Sequence, residues 1–152
     1  MRPSPRSILI TGASSGIGSA LARHYAAPGV TLFLGGRDPE RLETVAADCV
    51  GKGATVHTHP GDVTDAEAMR QWVVESDTDV PLNLVVANAG LAFGATDLAG
   101  LHAAAMESFA VNVAGIFNVV HPAIERMGLR GPKVADGQIA IMSSIMGYVG
   151  VA

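Results

Sequence analysis

The stretch Thr11–Gly18, TGASSGIG, sets three glycines among hydroxyl side chains between an apolar run and a helical pattern. A glycine-rich turn lets the backbone approach a ligand closely. The N-terminus of the following helix adds free N–H groups and the positive end of its dipole. Together these bind phosphate or pyrophosphate. The spacing is G-x-x-x-G-x-G, and no lysine follows Gly16 or Gly18, which excludes a P-loop nucleoside-triphosphatase. It also departs from the commoner dinucleotide pattern G-x-G-x-x-G. A tight turn without a ligand is the bland alternative. A second chemical candidate is the pair Ser143 and Ser144 at the end of an apolar run, with Tyr148 beyond them. His57 and His59, two apart on a strand and near Asp62, are a conceivable metal cluster. Helices expected on both faces of that strand weigh against it, and no metal is expected.

These groups need elements to position them. Strand-like and helix-like segments alternate along the chain. Ser7–Thr11 is a short apolar run, and Ile17, Ala20, Leu21, His24 and Tyr25 repeat at helical spacing until Pro28-Gly29. Val30–Leu34 reads as the second strand. Asp38 then serves as N-cap with Pro39 at the first helical position, and Leu42, Val45, Ala46 and Cys49 give the buried stripe. Ala54–His59 is the third strand. Thr64-Asp65-Ala66-Glu67 matches a capping box, with Thr64 as the cap, ahead of an apolar face of Met69, Trp72 and Val73. Asn83–Ala87 is the fourth strand. A long helical region follows, broken near 94–101 and strongest from Met106 to Met127, with Val111 and Val119 on a second apolar face. Ile139–Ser143 is the fifth strand. Strands separated by helical crossovers pair in parallel, so the fold class is α/β, a three-layer doubly wound parallel sheet in one domain covering residues 1–152.

Composition narrows the function. Of 152 residues 49% are hydrophobic, which excludes a disordered chain. Net charge is −4 with no basic run, so nucleic acid and anionic membrane are not expected partners. The single cysteine excludes an intramolecular disulfide and a cysteine-rich metal site. The sequence shows no long uninterrupted apolar run and no signal peptide, so no membrane span is expected and a cytoplasmic location is the default.

The octet resembles the coenzyme loop of the short-chain dehydrogenase/reductase family, whose form is T-G-x-x-x-G-x-G. Four further motifs carry the resemblance in order: Asp62-Val63 after the third strand, Asn88-Ala89-Gly90 after the fourth, Asn112 in FAVNVAG, and GQIAIMSS. Together they cover the chain. The resemblance implies an NAD(P)-binding Rossmann fold and hydride transfer between an alcohol and a carbonyl compound. It implies coenzyme contacts at Gly12, Ser14, Ser15, Gly16, Ile17 and Gly18, adenine contacts at Asp62 and the Val63 amide, and further contacts at Asn88, Ala89 and Gly90. It also implies a catalytic Ser144, with Ser143 the second choice, and an Asn112 that helps seat a water in the proton path. Without it, Ser144 reads as a loop cap and Asn112 as a buried polar residue bonded to neighbouring backbone.

The coenzyme is read from the end of the second strand. An acidic residue about 20 positions after the glycine loop holds a ribose 2′-OH. Here that position is Gly36, followed by Arg37. A glycine leaves room for a 2′-phosphate, and an arginine holds one with forked, charge-assisted hydrogen bonds. NADP(H) is therefore favoured over NAD(H), with two points against: Asp38, read as an N-cap, and Ser15, where some NADP(H) members carry a basic residue.

The family's acid–base pair, Tyr-x-x-x-Lys, does not occur in these 152 residues. A tyrosine near pKa 10 needs a neighbouring positive charge to act at neutral pH. Tyr148 stands too close to Ser144 for that role, and no lysine follows it. The resemblance therefore implies a longer enzyme, with the pair, a sixth strand and most of the substrate pocket beyond Ala152. The alternative is a protein that binds NADP(H) without turnover. Leu91, Phe93 and Met146 are candidate pocket residues. The family builds subunit interfaces on the helix around Met106–Met127, so a homodimer or homotetramer is expected.

Overall fold

The computed structural model describes residues 4–92, 98–130 and 137–144. Five strands form one parallel sheet in the order β3-β2-β1-β4-β5: β1 Ser7–Thr11, β2 Thr31–Gly36, β3 Thr55–Pro60, β4 Leu84–Ala87 and β5 Gln138–Ile141. The crossovers are α1 Gly16–Tyr25, α2 Pro39–Val50, α3 Ala66–Asp79 and a long helix. That helix runs as α4 Leu98–Phe109, one π-helical turn Ala110–Ala114, and α5 Gly115–Gly128.

Alternation along the central strands divides the core in two. Ile8, Ile10, Leu32, Leu34, Leu84 and Val86 face one side and pack under α1 and α2 with Leu42, Val45 and Cys49. Leu9, Phe33 and Val85 face the other and pack under α3 and α5 with Met69, Trp72, Val73, Val119 and Ala123. Burying each large aliphatic side chain contributes roughly 1.5–3 kcal/mol, so each sheet face holds its helices by ordinary hydrophobic burial. The three expected layers are present, and Cys49 is fully buried, its thiol pKa raised by desolvation.

Several local expectations shift. The cap of α3 is Asp65, whose carboxylate accepts from the Ala68 amide at 3.0 Å; the Thr64 hydroxyl instead bonds Asp62 Oδ1 at 2.8 Å. Asp62 captures both polar groups of Thr64, and the helix starts one residue later. On α1 the buried residues are Gly18, Ser19 and Ala22, while Ala20 and His24 are exposed and Ile17 is 58% exposed. A Cβ on Gly18 would meet backbone, so the bare face of the helix turns inward and Ile17 turns out.

β3 is an edge strand, half exposed, rather than covered on both faces. His57 stacks on Phe33 and His59 on Trp72, at centroid distances of 5.0 and 4.7 Å. The long helix is described from Leu98 onward, residues 94–97 of the expected break lie outside the described residues, and the helix carries a π-turn that the spacing did not announce. The extra residue in that turn alters which side chains face inward. Val111 and Val119, expected to await a neighbour, are buried within this chain, and Met106, Phe109, Val113, Phe117 and Ile124 face outward. Residues Gly100–Gly128 are long and apolar enough to cross a membrane by length and composition alone, although polar residues such as Glu107, Asn112 and Asn118 interrupt the apolar run. Here Val119, Val120 and Ala123 of that helix are buried in the fold.

One polar cluster fixes the far end of α3. Asp77, 5% exposed in its side chain, accepts from the Leu82 amide at 3.0 Å and from Arg126 Nε at 3.1 Å, and it also pairs with Arg130. Arg130 Nη1 donates to the Leu82 carbonyl at 2.8 Å, so α3, the start of β4 and the end of α5 meet on one carboxylate.

Candidate functional site

In a sheet of this order the chain leaves β1 toward β2 and β3, and returns on its other side as β4 and β5. The crevice between β1 and β4, at the strands' C-terminal ends, is where open α/β sheets bind ligands. A cavity of about 570 Å³ lies there, bordered by the loops after β1, β2, β3 and β4.

The glycine loop fills its floor. Gly12 and Gly16 have φ of +66° and +53°, the left-handed region that glycine enters at little steric cost. Gly18 has an ordinary helical backbone, but a Cβ on it would lie 2.2 Å from the Gly12 carbonyl oxygen and 2.6 Å from Asn88 Nδ2. Nothing lies within 4 Å of a Cβ built on Gly16, so the space above the helix start is open. Ser15 caps α1 without a side-chain hydrogen bond, and first-turn amides of a helix have no intrahelical acceptor. The donors expected of an anion site are therefore exposed on an open cradle. Ser14, Ser15 and Ile17 all line the cavity.

Asn88, Ala89 and Gly90 line it from β4. Asn88 Nδ2 donates to the Thr11 and Gly12 carbonyls at 3.0 and 3.4 Å, and the Thr11 hydroxyl oxygen accepts from the Asn88 and Ala89 amides, each at 3.0 Å. Asn88 thus joins the two loops of the switch point. Thr11, buried to 2%, is its reciprocal partner and was not singled out from the sequence. Its place as the first residue of the octet was the available signal.

Asn112 sits in the π-turn. Its Oδ1 accepts from the Leu91 amide at 2.8 Å, and its Nδ2 donates to the Leu91 carbonyl at 2.8 Å and Ser108 Oγ at 3.3 Å. It clamps the chain just after Gly90, whose Cβ position lies 3.2 Å from Asn112 Oδ1. Another turn along, Asn118 Nδ2 donates to the Val63 carbonyl at 2.9 Å, and a Cβ on Gly115 would lie 2.6 Å from Val63 Cγ2. The long helix holds the loops after β3 and β4 together.

The third wall is charged. Asp62 Oδ1 accepts from the Thr64 amide at 2.9 Å and the Thr64 hydroxyl, and these bonds, the backbone one foremost, hold its carboxyl below the usual range. Its Oδ2 stands 3.9 Å from Arg37 Nη1. Arg37, Asp38, Arg41 and Val63 also line the cavity. Asp38 caps α2 as expected, accepting from the Arg41 amide at 3.1 Å. The two glycines ending β2 are packing requirements: a Cβ on Gly35 would lie 2.5 Å from the Trp72 ring, and one on Gly36 would lie 3.1 Å from Ser14. His59 lines the same wall, its Nε2 buried without a partner and its pKa lowered chiefly by burial. Arg41, Trp72 and His59 are cavity residues that spacing did not assign to the site. Trp72 was read as core, which it also is.

Ser143 and Ser144 are exposed beyond the end of β5, and Met142 rather than Ser144 forms the cavity wall. Phe93, Met146 and Tyr148 lie outside the described residues.

The cradle fits a dinucleotide. It has an open helix start, a cavity of small-molecule size, and polar groups from Asn88 to Arg41 along its lining.

Comparison with known proteins gives the same family that the motifs suggest. The sequence pattern described as short chain dehydrogenase matches residues 6–152. Sulfoacetaldehyde reductase 2 of Chromohalobacter salexigens is 34% identical over 142 residues, 88% of this chain and 54% of that one. A 3-ketoacyl-ACP reductase from Sinorhizobium meliloti superposes with a TM-score of 0.80 at 37% identity, over 93% of this chain and 55% of that one. An alcohol dehydrogenase from the archaeon Thermococcus sibiricus, solved with 5-hydroxy-NADP, gives 0.79 at 31% identity over 91% and 58%. The chain spans about half the length of the curated relatives it matches.

Proposed function

The chain belongs to the short-chain dehydrogenase family, and from that premise we propose that it is the coenzyme-binding part of an NADP(H)-dependent oxidoreductase. The reaction interconverts a small-molecule alcohol and a carbonyl compound by hydride transfer. The observation that carries this reading is the cradle at Gly12, Gly16 and Gly18, tied by Asn88 across the switch point and open above the start of α1. The loop amides and Ser14 and Ser15 would hold the pyrophosphate, and Asp62 with the Val63 amide would hold the adenine. Asn88, Ala89 and Gly90 would flank the ribose and nicotinamide. When bound, the coenzyme supplies or accepts the hydride. The chain's own Ser144 would hydrogen-bond the substrate oxygen, and Asn112, through its hold on Leu91, would fix the wall beside the reacting groups.

The preference for NADP(H) rests on Arg37 and on the absence of a carboxylate at Gly36. Arg37→Ala should weaken NADPH about tenfold and leave NADH nearly unchanged, the loss of one charge-assisted contact. Fluorescence titration of both coenzymes measures it, and tighter NADH binding by the unsubstituted protein would sink the preference. NADP(H) preference also leans the reaction toward reduction.

The alternative is coenzyme binding without turnover. Reading the gene past the codon for Ala152 separates the two. A Tyr-x-x-x-Lys soon after it ends the binder reading, and a stop codon there ends the enzyme reading.

A homodimer or homotetramer fits the outward stripe of Met106, Phe109, Val113, Phe117 and Ile124, of which Phe117 is 66% exposed. An apolar patch of that kind marks an interface. Sedimentation should give a multiple of the chain mass, and Phe117→Glu should reduce it to the monomer. A monomer without substitution would refute this. We place the protein in the cytoplasm, where alcohol and carbonyl substrates meet the coenzyme pool; fractionation of cells tests that.

A further inference from the structure

The loop after β3 fixes its own shape. Asp62 Oδ1 accepts from the Thr64 amide and hydroxyl, the Asp65 amide donates to the Asp62 carbonyl at 3.1 Å, and Asp65 caps α3 through the Ala68 amide. These bonds shape the turn but do not set how far it stands from the rest of the cavity. Contacts at its two ends do that. At one end the Gly61 amide donates to the Gly36 carbonyl at 3.1 Å, which joins the turn to β2. At the other end Val63 meets the long helix. Asn118 Nδ2 donates to the Val63 carbonyl at 2.9 Å, and the Val63 side chain fills the notch left by Gly115. Gly115 and Asn118 are three residues apart and so neighbours on one helix face.

A second cavity makes this tie matter. About 450 Å³ of space lies between the start of α3 and α5, bordered by Ala66, Glu67, Arg70, Phe117, Asn118 and His121. Asp62 and Val63 border the coenzyme cavity, and Ala66 and Glu67, a few residues on, border this second space. The segment is therefore a partition with room behind it. Thr64, Asp65, Ala66 and Glu67 are all exposed, so little apolar burial holds the partition in place. Half-buried Asn118 reaches its backbone from the far side.

Resting on the reading that Asp62 and the Val63 amide hold the adenine, we propose that Asn118 is a positioning residue for the base, holding this loop at the distance where both groups reach it. Adenine offers its exocyclic amine to a carboxylate and its ring nitrogen N1 to an amide N–H. Hydrogen bonds weaken steeply as they lengthen and bend, so a loop that settles toward the second cavity loses both together. The glycine loop, which would hold the pyrophosphate, belongs to other elements and stays where it is. Hypoxanthine separates the two effects. It carries an oxygen in place of the amine and a proton on N1, so neither contact can form as it does with adenine.

The test titrates NADPH and its hypoxanthine analogue against the purified protein by fluorescence. The unsubstituted protein should prefer NADPH by at least about tenfold, the worth of the two base contacts. Asn118→Leu, similar in size but without a donor, should weaken NADPH about fivefold and move the analogue by less than about twofold. The preference for adenine then shrinks by nearly the same factor. Asn118→Gln keeps the donor, and the second cavity gives its extra methylene room, so it should recover most of that preference. If Asn118→Leu weakens both ligands alike, or neither, the residue is structural and the inference fails. It fails too if Asn118→Gln loses the preference as fully as Asn118→Leu. Failure of the underlying reading looks different: the unsubstituted protein would bind the two ligands equally, or bind neither. That outcome overturns both, whereas a preference for adenine that survives Asn118→Leu overturns the inference alone.

Discussion

Gly18→Ala should lower folding stability by about 2–3 kcal/mol, the upper range for forcing a methyl into packed surroundings, and weaken NADPH by at least about tenfold. The added carbon would lie 2.2 Å from the Gly12 carbonyl oxygen and 2.6 Å from Asn88 Nδ2. Neither can give way alone, because Asn88 is bonded to the carbonyls of Thr11 and Gly12. The start of α1 must move away from the loop, and the first-turn residues Gly16 and Ile17 that line the cavity move with it. Gly16→Ala is the control. Its Cβ meets nothing within 4 Å, so its cost is the left-handed backbone alone, about 1–2 kcal/mol. Urea unfolding and NADPH titration of both variants decide the matter. A Gly18→Ala protein as stable as the unsubstituted one would show that the close approach of loop and helix is not required.

Asp77→Ala should be the most destabilising single substitution away from the cavity, at about 3–5 kcal/mol, the usual cost of removing one member of a buried ion pair. The carboxylate is 5% exposed and gathers Arg126, Arg130 and the Leu82 amide. Without it, two cations face each other across the end of α3, and a backbone N–H loses its acceptor. Asp77→Asn keeps an acceptor for Leu82 but not the charge, and should fall between. The unfolding midpoint measures both. If Asp77→Ala costs less than about 1 kcal/mol, the level of a surface pair, the cluster is not a structural tie. Coenzyme binding by the folded fraction should be unchanged, because none of these residues borders the cavity.

The sheet and its layers were legible because each depends on a local pattern. Ser7–Thr11 was placed to the residue, and Leu42, Val45, Ala46 and Cys49 were all correctly assigned to the core. Helix caps at Asp38 and the glycine octet follow the same logic. What failed depended on partners distant in sequence. Thr64 resembles a cap until Asp62 takes its hydroxyl. Ile17 fits an apolar stripe until the bare face of Gly18 is drawn against Gly12. Val111 and Val119 looked unpartnered because a π-turn cannot be seen in a period of 3.6.

The sequence by itself determined the family, the parallel α/β fold and the place of the glycine loop between β1 and α1, since spacing and residue type are sufficient for each. Only the tertiary structure decided which side chains meet. It joined Asn88 to Thr11 and Gly12 across 77 and 76 residues, brought Arg41 to the cavity through Asp38, and turned Asn112 onto Leu91. Pattern reports the face a residue takes on its own element. The partner across the gap is set by how closely two elements approach, and here that distance is fixed by glycines whose missing side chains leave no periodic trace.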